Sequence, residues 1–234
     1  MTKKSHSTKI AAAIVLILVL GIAGFGYFKQ SSHLRSEDEA NAAPAAPLDL
    51  TLLTMKPNDI FLGDVNALVT IVEYSSLSCP HCQHFHQKVL PDLEKEFIDT
   101  GKVKLILRHF PLNAPALKAA DLVECAGGNG GKGSSRANFM KVLFDTQEKW
   151  AFTEDYLKNL KQIALVGGVD SAAFETCTNN KDLESKILNS RQEAGEKLHV
   201  ISTPTFFVNG VRITGAPTLE IIREAIKQAS ASTK

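Results

Sequence analysis

The placement of two cysteines limits this chain more than anything else in it. Cys79 and Cys82 stand at the point where a strand pattern becomes a helix pattern. Residues 68–74 (LVTIVEY) are β-branched and mostly apolar over a strand's length, and a serine turn leads from them into Cys79-Pro80-His81-Cys82. Beyond it Phe85, Val89, Leu93 and Phe97 recur at every fourth position, with Pro91 expected to kink the helix and Gly101 to stop it before a second buried-type strand over 103–107. Residues 113–200 then show helical periodicity only, in Tyr156, Leu160 and Ile163 and again in Leu183, Ile187, Ala194 and Leu198. Two short strands come next, 205–208 and 211–214, around the hairpin signal Asn209-Gly210, and Thr218 caps a last amphipathic helix through Leu219, Ile222 and Ile226. The order is βαβ, an all-helical insert, then ββα: an α/β domain.

A Cys-x-x-Cys pair has three common readings. Haem attachment needs His directly after the second cysteine, and here that residue is Gln83. Zinc or copper would recruit His84 and His86, but these lie about 200° apart around a helix and cannot both face one ion. The third reading is redox: a dithiol whose first sulfur sits at a helix N-terminus, where unpaired amides and the dipole favour the thiolate. The run GGNGGKG at 127–133 resembles a phosphate loop, but Lys132 is followed by Gly133 rather than Ser or Thr, and no strand leads into it. His109, Phe110, Pro111 and Leu112 end a strand and read as packing.

Together, Cys79-Pro80-His81-Cys82 after a strand and Thr203-Pro204-Thr205-Phe206-Phe207 before an Asn-Gly hairpin resemble the DsbA-like thiol:disulfide oxidoreductases of the thioredoxin superfamily, over about residues 58–230. The resemblance implies a thioredoxin fold with an inserted helical domain. It implies that Cys79 is an exposed nucleophile, that Cys82 is the buried resolving thiol and that Pro204 is cis and faces both. It also implies that Glu73 is a buried acid exchanging a proton with Cys82. No cofactor is expected beyond the redox-active Cys79–Cys82 disulfide, and no metal. The dipeptide Pro80-His81 is the one found in DsbA, with His81 the candidate for holding the Cys79 thiolate. A thiolate pKa of about 3.5 instead of about 8.5 would favour the reduced form by about 4.8 kcal/mol at pH 7, or about 100 mV. Such a protein oxidises substrates. Thr203 points the other way, because related isomerases and reductases also carry Thr before the cis-proline. Ser202 stands where this family often has glycine. The implied partners are unfolded, thiol-bearing exported proteins and a DsbB-like membrane reoxidant; a copper chaperone is the alternative from another class.

The N-terminal region sets the expected compartment. Lys3, Lys4 and Lys9 precede nineteen uncharged residues, 10–28, which as a helix would measure about 28 Å, close to a bilayer core. With Glu37, Asp38 and Glu39 on the far side, the charge asymmetry exports the rest of the chain. Residues 1–28 are thus expected to be a signal or membrane anchor. The small-residue run Ala40-Asn41-Ala42 lies far beyond the apolar stretch, which favours an uncleaved anchor. Residues 29–57, rich in Ser, Ala, Pro and acid, read as a flexible linker, with residues 58–112 and 201–234 as the two thioredoxin-like parts. An oxidising compartment favours joining Cys125 to Cys177 as a structural disulfide worth about 4 kcal/mol, the alternative being two buried thiols. Lys plus Arg number 26 against 25 Asp plus Glu, which offers no broad cationic face for nucleic acid.

Overall fold

The computed structural model describes residues 47–127, 134–215 and 217–232. The apolar segment 10–28, most of the linker and the glycine-rich run from 128 to 133 lie outside them. Among the described residues no helix is long and apolar enough to cross a membrane. One compact unit spans Leu48–Lys234.

Five strands form one sheet in the order β1-β3-β2-β4-β5, with β1 at Ile60–Leu62, β2 at Val69–Ser75, β3 at Val103–His109, β4 at Thr205–Val208 and β5 at Val211–Thr214. Only β2 and β3 run parallel. That parallel pair requires a crossover, and the helix following Cys79 provides it. Successive side chains alternate between faces. Ile71, Leu105, Leu107, Phe206 and Val208 pack with the crossover helix, while Val72, Tyr74, Ile106 and Phe207 pack with Leu53, Ala194, Leu198 and Val200 on the opposite face. Glu73 lies opposite Leu107 on one side and Phe206 on the other, so its carboxyl enters the first of these cores.

The crossover helix, α1, covers residues 80–98 and is not regular. A wide turn at Phe85–Val89 ends two residues before Pro91, and a second at Glu94–Ile98 closes the helix. Pro91 lacks an N–H and its ring would strike the carbonyl four residues back, so the chain widens there: the Leu90 N–H bonds to the Phe85 carbonyl, five residues earlier. The expected kink takes this form. Gly101 ends the element with φ +74.

The insert holds α2 (Ala114–Cys125), α3 (Ser135–Asp145), α4 (Tyr156–Val166), α5 (Ser171–Thr178) and α6 (Lys181–Lys197). Side-chain caps begin most of them: Asn113 accepts from the Ala116 N–H, Asp170 from Ala172 and Ala173, and Asn180 from Leu183. The Cys125–Cys177 disulfide ties α2 to α5. The C-terminal helix α7 (Leu219–Ala231) buries Ile222 and Ile226. The hairpin between β4 and β5 turns on Asn209 and Gly210, both at positive φ (44° and 90°), as a tight two-residue turn requires.

The linker boundary at 57 requires correction. Leu50–Leu53 forms a short 3-10 helix with Leu53 buried, and β1, invisible to the sequence reading, comes after it. The anchor is Arg108 of β3. Its guanidinium lies 2.8 Å from Asp59, both groups nearly sealed from water, and donates to the carbonyls of Leu52 and Thr54 and to the Tyr74 hydroxyl. One buried cation thus draws residues 48–59 onto the sheet.

Candidate active site

The chain leaves β2 through a loop stitched to itself before it reaches the cysteines. The Cys79 N–H bonds to the Ser76 carbonyl at 3.0 Å, and the Ser78 hydroxyl donates to Asn113 at 3.1 Å, ahead of α2. Cys79 is the N-cap of α1 and Pro80 occupies the first turn, where its missing N–H costs nothing. The Thr203–Pro204 peptide bond is cis, and the Thr203 carbonyl lies 3.3 Å from Cys79 Sγ, across 124 residues of sequence. The structure therefore brings Cys79, Pro80, Cys82, Thr203 and Pro204 to one place.

The two sulfurs are in opposite electrostatic states. Hydrogen bonding from the Cys82 thiol, opposed by burial and helped by Thr203 and by the backbone amides of Cys82 and His81, lowers the Cys79 thiol from 9.0 to about 5. These donors favour the anion, so the thiol ionises early. Burial first, then the hydrogen bond to Cys79 and the charge of Glu73, push Cys82 well above 9.0.

Two expectations need adjustment. Cys79 is not exposed: it retains 6% of its accessible surface, against 0% for Cys82, with the Thr203 carbonyl against its sulfur. The His81 imidazole is not among the leading groups that lower the Cys79 thiol. That side chain is exposed, and it is the backbone N–H of His81 that supports Cys79.

Glu73 is fully buried, and its partner is a residue that the sequence singles out only as a candidate metal ligand. His86 Nε2 stands 3.0 and 3.2 Å from the two carboxylate oxygens, and its ring stacks on Phe144 with centroids 4.1 Å apart. A signal for this was present: His86 follows Cys82 by four residues, so both share one helix face. His84 is exposed on another face. Gln147, also missed, is completely buried and donates to the carbonyls of Leu77 and Cys79.

A dithiol with one acidic and one basic sulfur, opposite a cis-proline and carried by a five-stranded sheet with a helical insert, defines a thioredoxin-fold redox protein. A family model described as Thioredoxin matches residues 55–228. A solved structure of alpha-DsbA1 from Wolbachia pipientis is 34% identical with TM-score 0.72, covering 78% of this chain and 96% of that one. The disulfide bond formation protein D of Bacillus subtilis is 27% identical over 175 residues, 71% of this chain and 75% of its own. A Rickettsia conorii relative with the provisional name protein-disulfide oxidoreductase is 33% identical over 172 residues, and the chain spans 60% of that relative's length. The chain belongs to the thioredoxin family and, within it, to the DsbA-like thiol:disulfide oxidoreductases.

Proposed function

We propose that this protein introduces disulfide bonds into exported proteins by thiol–disulfide exchange at Cys79 and Cys82. The observation that carries the reading is the dithiol at the start of α1, its Cys79 sulfur 3.3 Å from the carbonyl of Thr203 at the cis Thr203–Pro204 bond, a setting that lowers one thiol and raises the other. In the oxidised enzyme the two are joined. A substrate thiolate attacks Cys79 Sγ, a mixed disulfide forms, and the Cys79–Cys82 bond breaks with its electron pair on Cys82. Cys82 then takes a proton, which we assign to Glu73. A second substrate thiolate attacks the first substrate sulfur, and Cys79 leaves as a thiolate. Two substrate thiols lose two electrons and the enzyme disulfide gains them; one proton ends on Cys82 and one in solvent. When the second substrate thiol is absent, Cys82 resolves the mixed disulfide by attacking Cys79.

The backbone beside Pro204 is suited to pair with an extended substrate strand, so loose, thiol-bearing segments are the substrates this reading assigns. Turnover requires a reoxidant, for which a DsbB-like, quinone-linked membrane protein has the right chemistry. Residues 10–28 would tether the enzyme outside the cytoplasm, beside that partner. Thr203 favours a second reading, an isomerase or reductase kept reduced by a membrane carrier. Equilibrating the full chain with glutathione buffers separates the two: an oxidase has a potential well above thioredoxin's value of about −270 mV, and a value near −270 mV defeats the assignment. Stoichiometric copper or zinc binding tighter than micromolar would move the reading to a metal chaperone.

A further inference from the structure

We infer that Gln147, in the helical insert, is a positioning residue for the Cys79 thiolate. The inference rests on the dithiol reading above and deepens it. Gln147 opens a short 3-10 turn, Gln147–Lys149, directly after α3, and none of its surface is accessible. Its Nε2 donates to the Leu77 carbonyl at 2.7 Å and to the Cys79 carbonyl at 3.1 Å. The Cys79 carbonyl already accepts the first bond of α1, from the Gln83 N–H at 3.0 Å. Gln147 therefore adds a second donor to the carbonyl of the N-cap residue whose side chain is the nucleophile.

This fixes the backbone of Cys79 from outside its own helix. Beside the Cys82 thiol, the N–H groups of residues 81 and 82 support the sulfur as an anion, and these are in reach only while the N-cap keeps its extended backbone (φ −86, ψ 121). The Cys79 carbonyl belongs to the same residue as that sulfur, and the Gln147 N–H offsets its negative partial charge. The same short segment is held from the other side, where the Gln83 amide donates to the Phe144 carbonyl at 2.9 Å and His86 stacks on the Phe144 ring. Residues 144–147 thus form a brace between the insert and the dithiol.

The amide's other end shows what it is there for. Among the described residues its Oε1 is buried with no hydrogen-bond partner. Burying an acceptor unpaired costs stability, and an apolar side chain of the same length would avoid that cost. A residue kept for packing alone would not carry it. What the amide gives in return is delivered at the Leu77 and Cys79 carbonyls.

The test compares the full chain with Gln147→Met and Gln147→Asn, following the thiolate by its absorbance near 240 nm as pH is raised. Met keeps the length without the donors, and Asn keeps the amide but withdraws it by one methylene. We expect either substitution to raise the Cys79 pKa by about one unit, a tenfold loss of thiolate at pH values below it, while the unfolding midpoint of Gln147→Met falls little. A pKa unchanged in either folded variant overturns the inference, as does a fall in stability alone. Should both variants fail to fold, the wild-type chain decides. Its Gln147 side-chain amide resonances must move with the Cys79 titration, and resonances that stay fixed overturn the inference. If wild-type Cys79 itself titrates above 8, the redox reading of the site fails; if it titrates near 5 in wild type and variants alike, only the role of Gln147 does.

Discussion

Raising the pH should drive electrons into this dithiol relative to glutathione, by an amount the two thiol pKa values set. Reducing glutathione disulfide takes up two protons at neutral pH. Reducing the enzyme disulfide takes up only one wherever Cys79 is ionised and Cys82 is not, which spans about pH 5 to above 9. The equilibrium constant for reduction of the enzyme by glutathione therefore rises about tenfold per pH unit from pH 6 to pH 8, and flattens below pH 5. At pH 7 the thiolate contributes about 3 kcal/mol to the reduced form relative to an ordinary thiol, equivalent to about 60 mV for two electrons. The same shift enters stability. The folded value lies below the unfolded one, so the contribution to the reduced protein is complete above pH 9 and is lost as pH falls through 5; the oxidised protein has no such dependence. The assay is equilibration with glutathione at fixed total thiol, quenched with acid and resolved by alkylation. A constant that does not change between pH 6 and pH 8 would mean that both sulfurs stay protonated, and the electrostatic argument would be wrong.

Other consequences come from single contacts. Arg108→Ala leaves Asp59 buried without its counter-charge and frees the Leu52 and Thr54 carbonyls, so chemical denaturation should show a loss of about 3–5 kcal/mol; a loss under about 1 kcal/mol would show that residues 48–59 are not held by this cation. His81→Ala keeps the backbone N–H that supports Cys79, so the thiolate should still form below about pH 7. A Cys79 pKa near 9 in that variant would return the role to the imidazole.

What the sequence disclosed and what it concealed divide along contact range. β2 to β5 were legible because each is a short β-branched run beside a local turn, and Asn209-Gly210 forces its hairpin whatever surrounds it. The Cys-x-x-Cys pair was legible for the same reason: nucleophile, helix start and proline lie within four residues. β1 was not, since three residues cannot display a period. The fold of residues 48–57 was hidden because its leucines are spaced by Asp and Thr directly after an alanine- and proline-rich run, while the group that anchors them is Arg108, some fifty residues on. The burial of Cys79 depends on Thr203, and its second carbonyl donor on Gln147, neither of which stands near it in the chain. Only His86 could have been found earlier, from its four-residue offset to Cys82.

The asymmetry of the sulfurs also decides which step of the proposed cycle needs help, and this makes Glu73 testable apart from Cys79. A thiol of lower pKa leaves faster, so the last step, which expels Cys79, needs no proton. The first step expels Cys82, the poorer leaving group, into a pocket that penalises its charge. A proton must reach it there, and in the proposed cycle the buried carboxyl of Glu73, 3.0 Å from His86, relays it to Cys82. Glu73→Gln removes that relay while keeping shape and the capacity to accept from His86. Mixed-disulfide formation, followed by quenched flow with a monothiol substrate, should slow by about a hundredfold, within the usual range for general acid catalysis. Release of Cys79 from a preformed mixed disulfide should keep its rate. Equal slowing of both steps would mean that the substitution merely disturbs the loop, and no slowing of the first would mean that Cys82 draws its proton from elsewhere.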